Sequence, residues 1–211
     1  FAGAGERGEA DRRDRRDRRD RRARRGRRGG VTTGAMAGGL PGAPGASFPA
    51  VRVGIGYDSH RLEPPGPLIL GGVPIPSDVH LHGHSDGDAA AHAITDAILG
   101  AAGAGDIGEM FSDRDPANAG RNSLEMLSAA VARVGAKGWR VQQVDVTIVA
   151  ERPRVASHRE LMKARLGGAI GISPNDVSVK AKTNEGMGWI GRGEGIACIA
   201  VATIVATNGD R

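Results

Sequence analysis

The sequence predicts an α+β fold beyond residue 50, a mixed sheet with helices packed on one face, and three observations carry that prediction. Apolar runs with strand alternation and apolar runs with helical spacing interleave along the chain. The second half holds a β-α-β-β run, read as ferredoxin-like β-α-β elements. The final run, IACIAVATIVAT at residues 196–207, is apolar on both alternating faces. One layer of helices covers only one of them, so another subunit is expected on the other.

The elements follow in order. Residues 51–57 read as a strand, and residues 67–76, PLILGGVPIP, as a second strand broken by a turn at Gly71-Gly72. Residues 85–102 open with a Ser/Asp cluster and continue as a helix with Ile94, Ala97, Ile98 and Ala101 as its stripe. Residues 122–138 give a second helix, striped by Leu124, Leu127, Val131 and Val134. A strand at 140–150, a helix at 157–171, a strand at 176–183 and the final strand at 195–207 complete the domain, residues 51–211. Cys198, the one cysteine, falls inside the last apolar run and reads as a small buried filler.

Charge divides the chain near residue 50. The first 50 residues hold thirteen Arg, no Lys and six acids, a net of +7, while the rest nets −2. The basic character thus belongs to DRRDRRDRRDRRARRGRRGG and the Gly/Ala/Pro stretch after it, which have almost nothing apolar to bury and are expected to be disordered. The regular aspartates argue against a transit peptide, which is poor in acids. The cytoplasm is the expected setting, with the plastid stroma the alternative if the extension is a targeting remnant. Nucleic acid would be met only through this Arg repeat, and no apolar run reaches the ~20 residues of a membrane span.

The chemistry gathers in two places. Only Ser59 separates Asp58 from His60, so on an extended chain both side chains leave one side. Three of the six histidines are His80, His82 and His84, and His92 follows on the predicted helix, four residues after Asp88. Asp58, His60 and His92 make an Asp/His/His set with a fourth position open, the arrangement of a catalytic zinc. Spacing alone also allows a satisfied histidine on an alanine-rich helix, because no HExxH or CxxC pattern accompanies it. GIGYDS is no dinucleotide fingerprint, since Ser59 takes the place of the third glycine. GDIGEMFSDRDP, residues 105–116, is a glycine-flanked acidic loop suited to a polyol. KAKTNEGMGWIGRGEG, residues 180–195, sets Lys182, Thr183, Glu185 and Arg192 among glycines whose N–H groups suit phosphate oxygens. Glu185 there could hold a hard divalent cation; the alternative is a hairpin decorated with surface charge.

Taken in order, these stretches resemble the 2-C-methyl-D-erythritol 2,4-cyclodiphosphate synthases of the non-mevalonate isoprenoid pathway. Gly54, Gly56, Asp58 and His60 match GxGxDxH; residues 84–92 match HSDGDxxxH; GDIG stands at 105–108 and GRGEGIAC at 191–198. The resemblance spans residues 51–207 and implies zinc at Asp58, His60 and His92, and Mg²⁺ or Mn²⁺ with the substrate diphosphate at Glu185. It implies a lyase acting on 4-diphosphocytidyl-2-C-methyl-D-erythritol 2-phosphate, whose 2-phosphate attacks its own diphosphate and expels CMP. That intramolecular attack accounts for the lack of any recognisable protein nucleophile pair.

By the same resemblance His84 and Thr183 steady the transition state, and Ser85 belongs to the substrate loop. Asp106, Ile107 and Gly108 hold the erythritol portion, and Ala150, Arg154, Ala181 and Lys182 line the cytidine pocket with Thr183. Asp113, Trp189 and Arg192 join the substrate contacts, and the enzymes are homotrimers with active sites between subunits. Lys182 and Asn184 stand where a run of threonines is frequent, and Ile199 where many relatives carry a glutamate. Two other readings remain open at this point: a zinc phosphohydrolase using bound hydroxide, and a polyanion-binding module working through the Arg repeat.

Overall fold

The computed structural model describes residues 49–207; all but the last two residues of the expected extension lie outside that range. Its strands are β1 (Val51–Glu63), β2 (Leu68–Leu70), β3 (Val73–Ile75), β4 (His80–Leu81), β5 (Trp139–Val149), β6 (Val177–Lys182) and β7 (Gly195–Ala206). The helices are α1 (Ala89–Ala102), α2 (Ile107–Met110), α3 (Ser123–Gly135), α4 (Arg159–Ile170) and α5 (Gly188–Gly191). The main sheet runs β4-β1-β7-β5-β6, and β2 pairs with β3 as a separate hairpin. Strand β7 is antiparallel to both β1 and β5, while β5 and β6 run parallel around α4. The sheet is therefore mixed, as expected.

Strand β1 departs from the expectation. It does not end at Tyr57 but pairs with β7 as far as Arg61, opposite Gly195. A long antiparallel partner supplies the hydrogen bonds that keep Asp58 and His60 extended. The run at 67–76 is two short strands rather than one, turned by Gly71 and Gly72 at φ of 59° and 72°, which favour residues without a Cβ. Two stretches expected as loops contain single helical turns, α2 and α5.

Helix α1 lies across β1 and β7, α3 packs on α1 and β5, and α4 on α3 and β6. The close approach of α1 depends on two glycines of β1. A Cβ at Gly56 would stand 2.0 Å from the Ala93 carbonyl oxygen, and one at Gly54 2.1 Å from that of Ala97. Positions 54, 56, 58 and 60 share one face of the strand. The face that seats the helix backbone on glycine therefore delivers Asp58 and His60 under its first turn. The opposite face is apolar and open in the single chain: Val53, Ile55 and Tyr57 are 64%, 71% and 56% exposed, with Ile199 and Val201 beside them. Cys198 is fully buried on the helix side.

Helix α1 starts at Ala89, later than its Ser/Asp cluster suggested, because Asp88 is its cap. The Asp88 carboxylate accepts N–H groups from Ala90 and Ala91, each at 3.1 Å, and from Gly71 at 2.8 Å and Gly72 at 2.6 Å. Asp88 thus ties the helix to the β2–β3 hairpin and faces away from a ligand role. Asp88→Ala is expected to cost about 3 kcal/mol, a lost cap plus buried N–H groups left without an acceptor. Urea denaturation checks this; a loss below about 1 kcal/mol would mean the hairpin is held by its apolar contacts alone.

Candidate active site

Asp58 and His60 reach out from β1, and His92 comes down from the first turn of α1. Asp58 Oδ2 lies 2.8 Å from His60 Nδ1 and 3.2 Å from His92 Nδ1, and one ligand atom from each residue lies within 4.8 Å of the others. The two imidazole rings are 5.2 Å apart and tilted by 48°. His60 Nδ1 is buried, yet its approach to Asp58 is too poorly aligned to make a hydrogen bond. A buried nitrogen facing a carboxylate without bonding it, with a second imidazole beside them, is a donor set suited to a divalent metal. The three residues fit zinc in number, type and the position left open.

The charges agree. Burial would raise the Asp58 pKa, but the close approach and charge of His60, with the hydrogen bond and charge of His92, outweigh it and lower the value from 3.8 to about 2. Burial would likewise lower His92, yet the hydrogen bond and charge of Asp58, then the charges of Asp88 and Asp86, raise it above 6.5. For the metal-free protein the signs follow directly. The Asp58 contribution, about 2 kcal/mol, is present above pH 3.8 and is lost as pH falls toward 2. The His92 contribution is full below pH 6.5 and is lost as pH rises through its raised value. The stability difference between the metal-free protein and Asp58→Asn is thus expected to peak between pH 3.8 and 6.5. Urea titrations across pH 2–9 read it, and a difference independent of pH would deny the coupling.

Behind His92 the network continues. Its Nε2 lies 2.9 Å from Ser123 Oγ and 3.1 Å from Ser85 Oγ, and Ser123 donates in turn to Asp86. Ser85, expected at the substrate, therefore reaches the back of a metal ligand. His84 is exposed, with Nε2 a long 3.4 Å from the Asp115 carbonyl oxygen. Asp106 caps the short α2, accepting the Glu109 N–H at 2.8 Å, and Ile107 donates its N–H to Asp96 of α1 at 2.8 Å. Asp96 thereby anchors the Asp106-Ile107-Gly108 turn to the helix that carries His92. Asp113 lies in an exposed turn beyond it.

A second group forms at the end of β5 and β6. Ala150, Arg154, Ala181, Lys182 and Thr183 line one cleft of about 370 Å³. Thr183 donates to Glu185 at 2.9 Å. Glu185 has a φ of 52°, the one positive value among the described non-glycine residues. Glu151 holds it there by accepting the N–H groups of Asn184 at 2.8 Å and Gly186 at 3.1 Å. Trp189 packs against the backbone of Gly195, and Arg192 pairs with Glu194 at 2.6 Å, both partly or wholly exposed. Among the described residues no hydrogen bond or ion pair joins this group to Asp58, His60 and His92. The sequence reading missed Ser123, Asp86, Asp96 and Glu151. Ser123 had no local signal, whereas Asp86 lay inside the HSDGDxxxH motif.

The family model described as YgbB matches residues 51–205. A curated 2-C-methyl-D-erythritol 2,4-cyclodiphosphate synthase from Gemmatimonas aurantiaca is 59% identical over 156 residues, covering 74% of this chain and 94% of the relative. A solved 2C-methyl-D-erythritol-2,4-cyclodiphosphate synthase in a CDP-bound form is 38% identical with a TM-score of 0.67, over 72% of this chain and 99% of that one. The Plasmodium falciparum IspF in complex with CDP is 33% identical with a TM-score of 0.67, over 77% and 100%. Matched over residues 51–205 and 59% identical to a curated synthase, the chain belongs to the YgbB family, alongside these cyclodiphosphate synthases.

Proposed function

We propose that this chain converts 4-diphosphocytidyl-2-C-methyl-D-erythritol 2-phosphate into 2-C-methyl-D-erythritol 2,4-cyclodiphosphate and CMP, as a phosphorus–oxygen lyase of isoprenoid precursor synthesis. The observation that carries the reading is the convergence of Asp58, His60 and His92, in a chain so similar to curated enzymes of that name. These three residues hold zinc, and Glu185 holds the Mg²⁺ or Mn²⁺ that accompanies the diphosphate. Bound there, the metals neutralise and polarise phosphate oxygens.

The chain's own part is positioning. An oxygen of the 2-phosphate bonds to the β-phosphorus, and the bond from that phosphorus to the oxygen of CMP breaks. No protein nucleophile is required. The exposed His84 faces the transferring group, and Thr183, whose hydroxyl donates to Glu185 in the metal-free protein, turns to it when Glu185 takes up its cation, since donors there stabilise developing charge. Asp106, Ile107 and Gly108 hold the erythritol hydroxyls from a turn anchored on α1, with Asp113 at its edge. The cleft of Ala150, Arg154, Ala181 and Lys182 takes the cytidine, and Trp189 and Arg192 flank it.

The chain works as a homotrimer whose active sites lie between subunits. The open apolar face of Val53, Ile55, Tyr57, Ile199 and Val201 supports this, since such a face is seldom left to water. So does the separation, within one chain, of the zinc ligands from the nucleotide cleft. The catalytic domain is residues 51–211, with the β5–α4–β6 unit as its ferredoxin-like element. The setting is the cytoplasm, since the regular aspartates among the arginines before residue 30 argue against a transit peptide. Among the described residues no helix is long and apolar enough to cross a membrane.

Phosphorus NMR of the metal-loaded protein with this substrate tests the reading. CMP should appear together with two coupled cyclic diphosphate signals. A linear phosphate carrying oxygen from labelled water would make the protein a zinc phosphohydrolase instead.

A further inference from the structure

We propose that Ser123, backed by Asp86, is a positioning residue that fixes which nitrogen of His92 binds the metal; the inference rests on the zinc site just described. Ser123 belongs to α3, 31 residues from His92, and is completely buried. Its Oγ lies 2.9 Å from His92 Nε2 and donates its proton to Asp86 Oδ1. Asp86 Oδ2 also accepts the Ser123 backbone N–H at 3.1 Å, so the carboxylate grips the first residue of α3 by two donors.

The direction of the chain of bonds follows from what each group can do. An ionised carboxylate only accepts, so the Ser123 proton goes to Asp86. The Ser123 oxygen then has only lone pairs to turn toward His92, and a hydrogen bond between them requires a proton on Nε2. Ser85 Oγ, 3.1 Å from the same nitrogen, accepts the Gly87 N–H at 3.3 Å and can turn its own proton toward Ser123 Oγ at 3.5 Å, which leaves a lone pair for the Nε2 proton. With Nε2 committed to donating, Nδ1 is the nitrogen left to present a lone pair, and it is the one facing Asp58 at 3.2 Å. A partner behind a ligating histidine in this way fixes ring orientation and raises ligand basicity. Here the partner comes from α3, so the position of that helix and the geometry of the metal site are one arrangement.

The test is Ser123→Ala, which removes one oxygen at the first position of a helix, where alanine is well tolerated. Zinc affinity, measured by competition with a chelating dye, is expected to fall by about 10–100-fold. Long-range ¹H–¹⁵N spectra of the zinc-loaded wild type should show a protonated Nε2 and a metal-bound Nδ1 at His92, and a loss of that single pattern in the variant. Asp86→Ala should weaken zinc binding in the same direction. The double variant should be no weaker than the worse single one, because both act on His92 through one hydroxyl. Wild-type affinity together with an unchanged His92 nitrogen pattern in Ser123→Ala would overturn the inference while leaving the zinc site intact. Additive losses with an unchanged pattern would reduce both residues to structural supports and overturn it equally. A wild-type protein that binds no zinc would remove the reading beneath it as well.

Discussion

Replacing His92 with alanine is expected to abolish zinc retention and to lower CMP release by at least about a thousandfold, the rate equivalent of the several kcal/mol a Lewis-acid metal contributes. The expectation rests on coordination arithmetic. Asp58, His60 and His92 supply three ligand atoms, and a site reduced to one carboxylate and one imidazole no longer closes around a tetrahedral ion. Metal content after dialysis and CMP release from the diphosphocytidyl substrate measure the two effects independently. His84→Ala is the necessary contrast. Its imidazole is exposed and touches only a carbonyl oxygen at 3.4 Å, so the variant should keep its zinc. Its loss should appear in kcat alone. Full turnover in a zinc-free His92→Ala protein would take the metal site out of the reaction.

The convergence of Asp58, His60 and His92 was legible in the sequence because their placement depends on local rules. Residues at i and i+2 of a strand share a face, and the motif around His92 announces a helix start. The end of β1 was not legible: Tyr57 was the expected limit, yet pairing with β7, more than a hundred residues later, carries the strand to Arg61, and pairing with β4 carries it on to Glu63. No local pattern reports a partner so distant. The same reason hides Ser123, which reads as an ordinary residue at the start of an amphipathic helix until α3 is laid beside α1. Glu151 stands next to Ala150, but its role in holding Asn184 and Gly186 depends on the parallel pairing of β5 and β6. Single-turn helices such as α2 and α5 are decided by a few caps and contacts, so composition reads them as loops.

Gly56→Ala should be among the most damaging methyls that can be added to this domain, and it should damage the candidate metal site with the fold. The new Cβ would meet the Ala93 carbonyl oxygen at 2.0 Å and the Ala97 nitrogen at 2.7 Å. Both are backbone atoms of α1, which cannot rotate aside as a side chain can, so the helix must lift or slide. Overpacking of this kind costs roughly 3 kcal/mol, about 10 °C in melting temperature for a domain of this size. Since β1 carries Asp58 two residues further on and α1 carries His92 one residue before Ala93, lifting the helix also parts the ligands. Zinc affinity should therefore fall even at temperatures where the variant is fully folded. Gly100→Ala separates this from a general intolerance of substitution on the helix: its Cβ would meet only the Ile55 carbonyl oxygen, at 4.0 Å. Alanine there should stabilise the protein by about 0.5–1 kcal/mol through helix propensity, with zinc binding untouched. If both variants melt and bind zinc alike, α1 does not rest on the glycines of β1. If only Gly56→Ala loses both, the two glycines preceding Asp58 serve the metal as directly as a ligand does, by setting how closely the histidine's helix may approach.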